Sequence, residues 1–415
     1  MAPNWFTVST GRSEPQVPYG AALCPSDPER LIRVDGFCYI TKDGGRTWSS
    51  AHTLLAPGEQ PAPASPWVCN GLVVTTTWHY YIDPHQPNRH YIAYTDIGFA
   101  RSLDAGDTWI WWEQDKWAPW RNTCYELAFD PDTPGKIWGA FSNVHDIPND
   151  NIISGRHGST GPGGVCLSTD FGDSWHPFGS GLPVAPATSV VLDPRSPKEN
   201  RTLYAAIFDQ GVFKSVDGGQ TWGRKSVGLG VPDNMRVYRV ILHSDGTLFA
   251  LITAKRQEGA FLRGGAGLYR SRDGGETWQC LTASLGLLWP KDFAVNSQSS
   301  NTILVGAADA RDENQGGLYR TTDGGATWKR VAREGSEHFG AYFHPNRTGW
   351  IYMTLTEGAP GPSLWLSTDG GDTWRPIESF PFANAQRVEF DPADPDLIYV
   401  TTFGGSVFRG PASAP

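Results

Sequence analysis

The sequence predicts an all-β protein, one β-propeller of four-stranded blades spanning residues 1–415, and three observations carry that expectation. The first is an octapeptide, Ser/Thr-x-Asp-x-Gly-x-Thr/Ser-Trp, found at residues 41–48, 102–109, 168–175, 215–222, 271–278, 321–328 and 367–374. The second is spacing: its aspartates, Asp43, Asp104, Asp170, Asp217, Asp273, Asp323 and Asp369, lie 61, 66, 47, 56, 50 and 46 residues apart. Periods near 50 with one turn-like motif per unit indicate radial or solenoid repetition. The third is a recurring strand pattern ahead of each octapeptide, in which an apolar run ends in Asp-Pro or an equivalent turn, a second short strand follows, and a variable loop leads to the strand bearing the motif.

The octapeptide has a mechanical reading. Its aspartate accepts hydrogen bonds from backbone N–H groups just ahead, its glycines accept positive φ, and the segment folds into a tight hairpin. The tryptophan then opens the next strand and buries its indole between sheets. In the clearest unit, Val190–Pro194 leads to Leu203–Ile207, then Asp209-Gln210-Gly211, then Val212–Ser215 and the motif. Four strands per unit make a blade. First strands begin near Ala21, Thr75, Tyr125, Ser189, Tyr238, Phe293, Gly340 and Val388, so eight blades are preferred, with seven the alternative. The last unit lacks an octapeptide and a fourth strand. Asn4–Val8 reads as an orphan strand that would close the ring and remove two exposed edges. No charged or Pro-rich linker divides the chain, and 56–66 reads as a long inter-blade loop.

Composition narrows the function. A net charge of −9 without a basic run disfavours nucleic acid and anionic membranes as partners. No apolar stretch reaches the roughly 18 residues that cross a bilayer, and residues 1–10 lack the charged and apolar regions of a secretory signal. The six cysteines show no metal-ligand spacing and read mainly as small buried hydrophobes, with Cys24 and Cys38 a possible cross-blade pair. No phosphate loop or zinc signature is present. A cofactor is therefore not expected, although the acidic run Asp309-Ala-Arg-Asp312-Glu-Asn314 leaves a structural Ca²⁺ conceivable.

With the octapeptides on one face, the loops joining second to third strands and those joining blades emerge on the other. They carry Trp67, Asp96, Trp117, Trp120, Arg121, Glu126, His145, Asp146, Arg156, His157, Asp209, Arg236, Tyr238 and Arg239. The longest insertion, 142–164, holds His145-Asp146 and Arg156-His157, and a long loop in a compact fold is more often functional than idle. Trp117 and Trp120 flank Ala118-Pro119 and suit stacking on sugar rings.

The octapeptide is the Asp-box, and its seven copies resemble those of Asp-box (BNR-repeat) propellers, where the motif is structural and lies away from the ligand face. Tyr91-Ile-Ala-Tyr-Thr-Asp96-Ile-Gly-Phe-Ala-Arg101-Ser is similar to a segment of the xyloglucanase family of inverting glycoside hydrolases, and the general likeness, with its Asp-Pro turns and Gly181-Leu182-Pro183, runs along nearly the whole chain. That resemblance implies a polysaccharide or oligosaccharide substrate, a catalytic base at Asp96, and an extracellular or periplasmic location. The family's second glycine is Phe99 here, and its second propeller, which supplies the acid, is absent. A partner acid would come from Glu126 or Asp146, with Asp209 also available, His145 or His157 tuning it, and Trp67, Arg121, Arg156, Arg236 and Tyr238 in binding roles. Sialidases share Asp-boxes, but their Phe/Tyr-Arg-Ile-Pro run is missing. The contrasting expectation is a non-catalytic scaffold that binds carbohydrate or protein, like sortilin-type propellers. A monomer is expected in either case.

Overall fold

The computed structural model describes all residues except 1–3, 11–18, 35–36, 70–74, 112–117, 148, 157, 311–313, 334–336, 357–360 and 413–415. It divides into two compact units. Unit 1 comprises 1–74, 81–92 and 99–117; unit 2 comprises 75–80, 93–98 and 118–415.

Unit 1 contains the antiparallel sheet Gly20–Cys24, Asp27–Val34, Cys38–Thr41 and Ser49–Ser50. A hairpin, Thr53–Leu55 with Trp67–Cys69, brackets the 56–66 loop. Asn4–Val8 is not the expected strand: Trp5–Thr10 is an α-helix. Asn4 explains the difference, because its Oδ1 accepts the Thr7 N–H at 3.0 Å as an N-cap, and the Trp5 ring stacks on Trp111 at 4.0 Å.

Unit 2 is built on first strands that we label β1 (Thr77–Ile82, of which 77–80 lie in this unit), β2 (Thr123–Phe129), β3 (Ala187–Asp193), β4 (Val237–Leu242), β5 (Pro290–Asn296), β6 (His338–Phe343) and β7 (Ala385–Phe390). Strands β2 to β6 each open a four-stranded antiparallel sheet. The sheet of β7 has three strands among the described residues. The second strands are buried on both faces, as in Leu203–Ile207, so they read as continuous apolar runs rather than alternating ones. Close packing demands small residues at some crossings: a Cβ on Gly306 would lie 2.5 Å from the Phe339 carbonyl oxygen.

Each Asp-box folds alike. In the fourth, Ser215 Oγ donates to Asp217 Oδ1 (2.7 Å) and accepts the Gly219 N–H (2.8 Å), while Thr221 donates its N–H to Asp217 Oδ1 (2.9 Å) and its hydroxyl to Oδ2. Gly218 and Gly219 take φ of 74° and 93°, where a Cβ is penalised. The Thr221 hydroxyl and N–H hold the Asp217 carboxyl down at about 2. The Gly218 N–H donates to the Arg201 carbonyl at 2.9 Å, so the box lies at the same end of its sheet as the turn joining first and second strands. Cys24 and Cys38 do not pair across the sheet, and all six cysteines are free thiols.

Inside unit 2, polar side chains reach from one first strand to the next. Ser189 of β3 donates to Glu126 of β2, and its Oγ accepts the Val240 N–H of β4 at 3.0 Å. Arg239 of β4 reaches Asp292 of β5 at 2.5 Å, and Tyr342 of β6 donates to Asp292 at 3.1 Å and to the Gln386 carbonyl of β7 at 3.1 Å. Arg387 of β7 donates to the Trp78 carbonyl of β1 at 2.9 Å, and Trp78 meets Tyr125 of β2 with ring centroids 5.6 Å apart.

Candidate functional site

The end of unit 2 opposite the Asp-boxes gathers Thr75, Asp96, Asn122, His145 and Asp146. Asp96 occupies the turn between His90–Tyr94 and Phe99–Ser102, with φ of 64°. Thr75 Oγ1 donates to its Oδ2 at 3.0 Å, Asn122 Nδ2 to its Oδ1 at 3.4 Å, and His145 Nδ1 stands 3.2 Å from the same Oδ1. Asp146 also has positive φ, 51°, and its Oδ2 is 4.0 Å from His145 Nδ1. Left-handed backbone at non-glycine residues is uncommon and concentrates at functional sites.

Local hydrogen bonds explain how the chain holds this loop. Ser142 Oγ accepts the Val144 N–H at 2.7 Å, and the Tyr125 hydroxyl donates to the Val144 carbonyl at 3.0 Å while accepting the Ile147 N–H at 3.1 Å. Thr95 Oγ1 accepts the Asp146 N–H at 3.2 Å and pairs with Thr123 Oγ1 at 3.0 Å. Four side chains at or beside strand ends thus fix the backbone over Val144–Ile147, ahead of the short helix Asp150–Ile153. Asp96 keeps 45% of its side-chain surface exposed and His145 36%, so both are open to a ligand.

A second polar group forms around Asp209, another left-handed residue at φ 60°. Arg236 Nε lies 3.4 Å from Asp209 Oδ2, Lys255 Nζ 3.9 Å from Oδ1, and Arg236 Nη2 donates to Ser159 Oγ at 3.2 Å. Burial lowers the Arg236 pKa, and Asp209 opposes that shift. Arg121 is exposed and donates its N–H to Asn143 Oδ1 at 2.8 Å, while Arg156 is exposed and donates from Nε to Ser154 Oγ at 3.3 Å. Trp120 is half-buried, close enough to Gly164 that a Cβ there would lie 2.7 Å from its ring. Trp117 and His157 lie outside the described residues.

Three expected site residues sit elsewhere. Trp67 is fully buried in unit 1, its backbone exchanging two hydrogen bonds with Trp109 (2.8 and 2.7 Å), so it presents no face to a sugar. Tyr238 is buried among β-strands, where its hydroxyl accepts from Arg387 Nη2 at 3.2 Å. Glu126 stands midway along β2, receiving the Ser189 hydroxyl and the Val190 N–H (3.0 Å) rather than joining Asp96. Burial raises its pKa, against the pull of Arg239.

Sequence reasoning placed Arg239 on a loop, whereas it stands on β4, and missed the buried charged group that it forms on the first strands. Asp292, fully buried, has Oδ1 2.5 Å from Arg239 Nη1 and Oδ2 3.0 Å from Arg387 Nε. Burial works to raise the Asp292 pKa, but the two arginines outweigh it and hold the carboxyl below its usual range. Beside them, His79 Nδ1 is 3.0 Å from Glu389 Oε1. Burial, reinforced by Arg387 and Arg239, takes the imidazole well below its ordinary pKa; burial pushes Glu389 up to about 7. The available signal was charge inside otherwise apolar first strands, as in Arg387-Val388-Glu389. No group of three or more potential metal ligands occurs among the described residues, and Asp309 of the acidic run is engaged by Arg333 at 3.0 Å.

Residues 316–407 match the model of the family described as sortilin, neurotensin receptor 3, and 269–279 match the BNR/Asp-box repeat. A xyloglucanase of Paenibacillus sp is 26% identical over 75% of this chain and 32% of its own length. The xyloglucanase Xgh74A of Acetivibrio thermocellus is 28% identical over 40% of this chain and 21% of its own. This chain therefore spans a third or less of the length of these curated relatives. Among solved structures, a GH74 enzyme of Niastella koreensis superposes with a TM-score of 0.55 at 16% identity, covering 81% of this chain and 52% of that one. YCF48 of Cyanidioschyzon merolae superposes with a TM-score of 0.53 at 14% identity, covering 86% and 98%. The chain is an all-β, Asp-box-bearing protein with the fold of these propellers, and it resembles the GH74 xyloglucanases over part of their length.

Proposed function

We propose that the protein is a glycoside hydrolase acting outside the cell on a polysaccharide or oligosaccharide, with its chemistry at the Asp96, His145 and Asp146 group. The carrying observation is that one nitrogen, His145 Nδ1, lies within 4.0 Å of a carboxylate oxygen from each aspartate. Those two oxygens are thus at most about 7 Å apart, which admits the short end of the roughly 6.5–9.5 Å span of inverting enzymes and also the roughly 5–5.5 Å of retaining ones. Asp96, the more exposed carboxylate, acts as base or nucleophile, and Asp146, at 16% side-chain exposure, is better sheltered to keep a proton as the acid. His145 orients both and shares the proton. Trp120, Arg121 and Arg156 line the approach as saccharide contacts, and the Arg236 and Asp209 group extends it. The names of the sequence relatives support xyloglucan as the first substrate to try.

The test is reducing-end release from a panel of plant and bacterial polysaccharides by the wild type and by Asp96→Asn. Loss of release in the variant with unchanged thermal stability supports the assignment. Absence of release from every glycan, with one of them still raising the wild-type melting temperature, replaces it with a binding scaffold.

A further inference from the structure

Unit 2 has a cavity at the Asp-box end, away from the loops just described. Two adjoining spaces of about 460 and 540 Å³ share Arg239 and Ile241. Glu126 lines the first and Glu389 the second, and the mouths carry the Asp-Pro-type turns at Pro131, Pro194, Pro345 and Pro392. Apolar walls come from Phe129 and Leu192 on one side and from Phe343 and Phe390 on the other.

At the floor stands a guanidinium with unused capacity. Arg239 Nη1 serves Asp292 and the Phe293 carbonyl (3.2 Å), whereas Nη2 has no acceptor among the described residues. Arg239 is 15% exposed, opening onto both spaces. A guanidinium N–H₂ that faces apolar walls, with no acceptor of its own, can take an anion of matching shape. We propose that this cavity is a binding site for a small organic monocarboxylate, anchored on Arg239 Nη2 and hydrogen-bonded by a protonated Glu389. The 540 Å³ space and its phenylalanine walls suit a carboxylate bearing an apolar or aromatic body.

Binding is coupled to a proton. Glu389 is faced by His79 from β1, Glu126 from β2, Arg239 and Tyr238 from β4, Asp292 from β5, Tyr342 from β6, Arg387 on its own strand and Asp391 just after it. His79 is held neutral, so it does not neutralise an arriving anion. Glu389 is poised near neutrality, and an incoming carboxylate favours its protonated form, which donates to the second ligand oxygen.

Isothermal titration calorimetry of the full chain with benzoate and acetate, at pH 5.5 and 8.5, tests this. With one proton at Glu389 required, affinity falls about thirtyfold between these pH values, and heats in buffers of different ionisation enthalpy report proton uptake. Glu389→Gln retains binding and flattens its pH dependence. Ile241→Trp, which fills the shared wall without touching the charges, abolishes binding and leaves polysaccharide hydrolysis unchanged, so the two sites stand or fall separately. Absence of carboxylate binding at pH 5.5, preference for methylammonium over acetate, or undiminished binding by the folded Ile241→Trp protein overturns the proposal.

Discussion

Replacing Asp292 with asparagine keeps its shape and removes one charge from the most buried ion group in the protein. Asp292 Oδ1 receives Arg239 at 2.5 Å and the Phe293 N–H at 2.9 Å; Oδ2 faces Arg387 at 3.0 Å and Tyr342 at 3.1 Å. Arg387 and Asp292 are 1% and 0% exposed, so water cannot take over the lost interaction. In the variant an amide N–H₂ is forced towards one of two guanidinium groups, and two buried cations lose their closest counter-charge. Breaking one buried pair costs about 3–5 kcal/mol; with two arginines on a single carboxylate we expect the upper half of that range. Urea unfolding followed by fluorescence of the 18 tryptophans measures it. A double variant, Asp292→Leu with Arg387→Met, separates charge from packing: it should recover part of the loss, because an apolar pair need not be compensated. The wild-type stability from this group is fully present above the ordinary carboxylate range and is lost as pH falls through the depressed pKa of Asp292. A loss below about 1 kcal/mol for Asp292→Asn, the scale of an ordinary substitution, would refute the view that this carboxylate holds the first strands together.

Glu389 behaves oppositely in pH, since its folded pKa of about 7 lies above that of the unfolded chain. Stability should fall as pH rises from about 4 to 7, by about 2 kcal/mol after discounting its partial exposure, and Glu389→Gln should remove that slope in urea titrations at stepped pH. Trp222→Ala, which empties the place of a 6%-exposed indole donating to the Gly219 carbonyl at 2.9 Å, should cost about 3–5 kcal/mol in the same assay. Asp96→Gly should abolish reducing-end release while raising stability by up to about 1 kcal/mol, because glycine takes φ of 64° without a Cβ penalty; a fall in melting temperature would count against stored strain there.

The sheets were legible in the sequence because their signals are local. The octapeptide states its own turn through side-chain to backbone bonds two and four residues apart, and each of the eight first strands foreseen near Ala21 to Val388 appears within a few residues of its expected start. Asn4–Val8 reads as a strand in the sequence because alternation at Trp5 and Phe6 suits either secondary structure, and a cap at Asn4 decides for the helix through one hydrogen bond. At the candidate site, Asp96 is marked by the resemblance of its segment and His145 and Asp146 by loop position, and the structure brings the three side chains together. Glu126 and Tyr238 were assigned to the same loops because nothing local says how far along a strand a side chain sits before the strand dives into the core. A register of two or three residues moves a carboxylate from a loop to the interior. The Asp292 group was invisible for a related reason: Arg239, Asp292 and Arg387 are separated by 53 and 95 residues, and only tertiary pairing makes them one unit.

That buried unit and the open loop group are physically complementary. A turn holding Asp96 and Asp146 at φ of 64° and 51° persists only if what anchors it cannot relax. Its anchors are Thr95, Thr123, Tyr125 and Ser142, all buried at strand ends, and Tyr125 is in turn wedged by Trp78, whose carbonyl receives Arg387. The ion group therefore acts on the loop through a continuous path of packed and hydrogen-bonded atoms. It follows that Arg387→Met, distant in sequence from every loop residue, should weaken reducing-end release more than Arg156→Ala, whose side chain is exposed and donates to Ser154 nearby. The reverse order would locate the loop's rigidity in the loop itself.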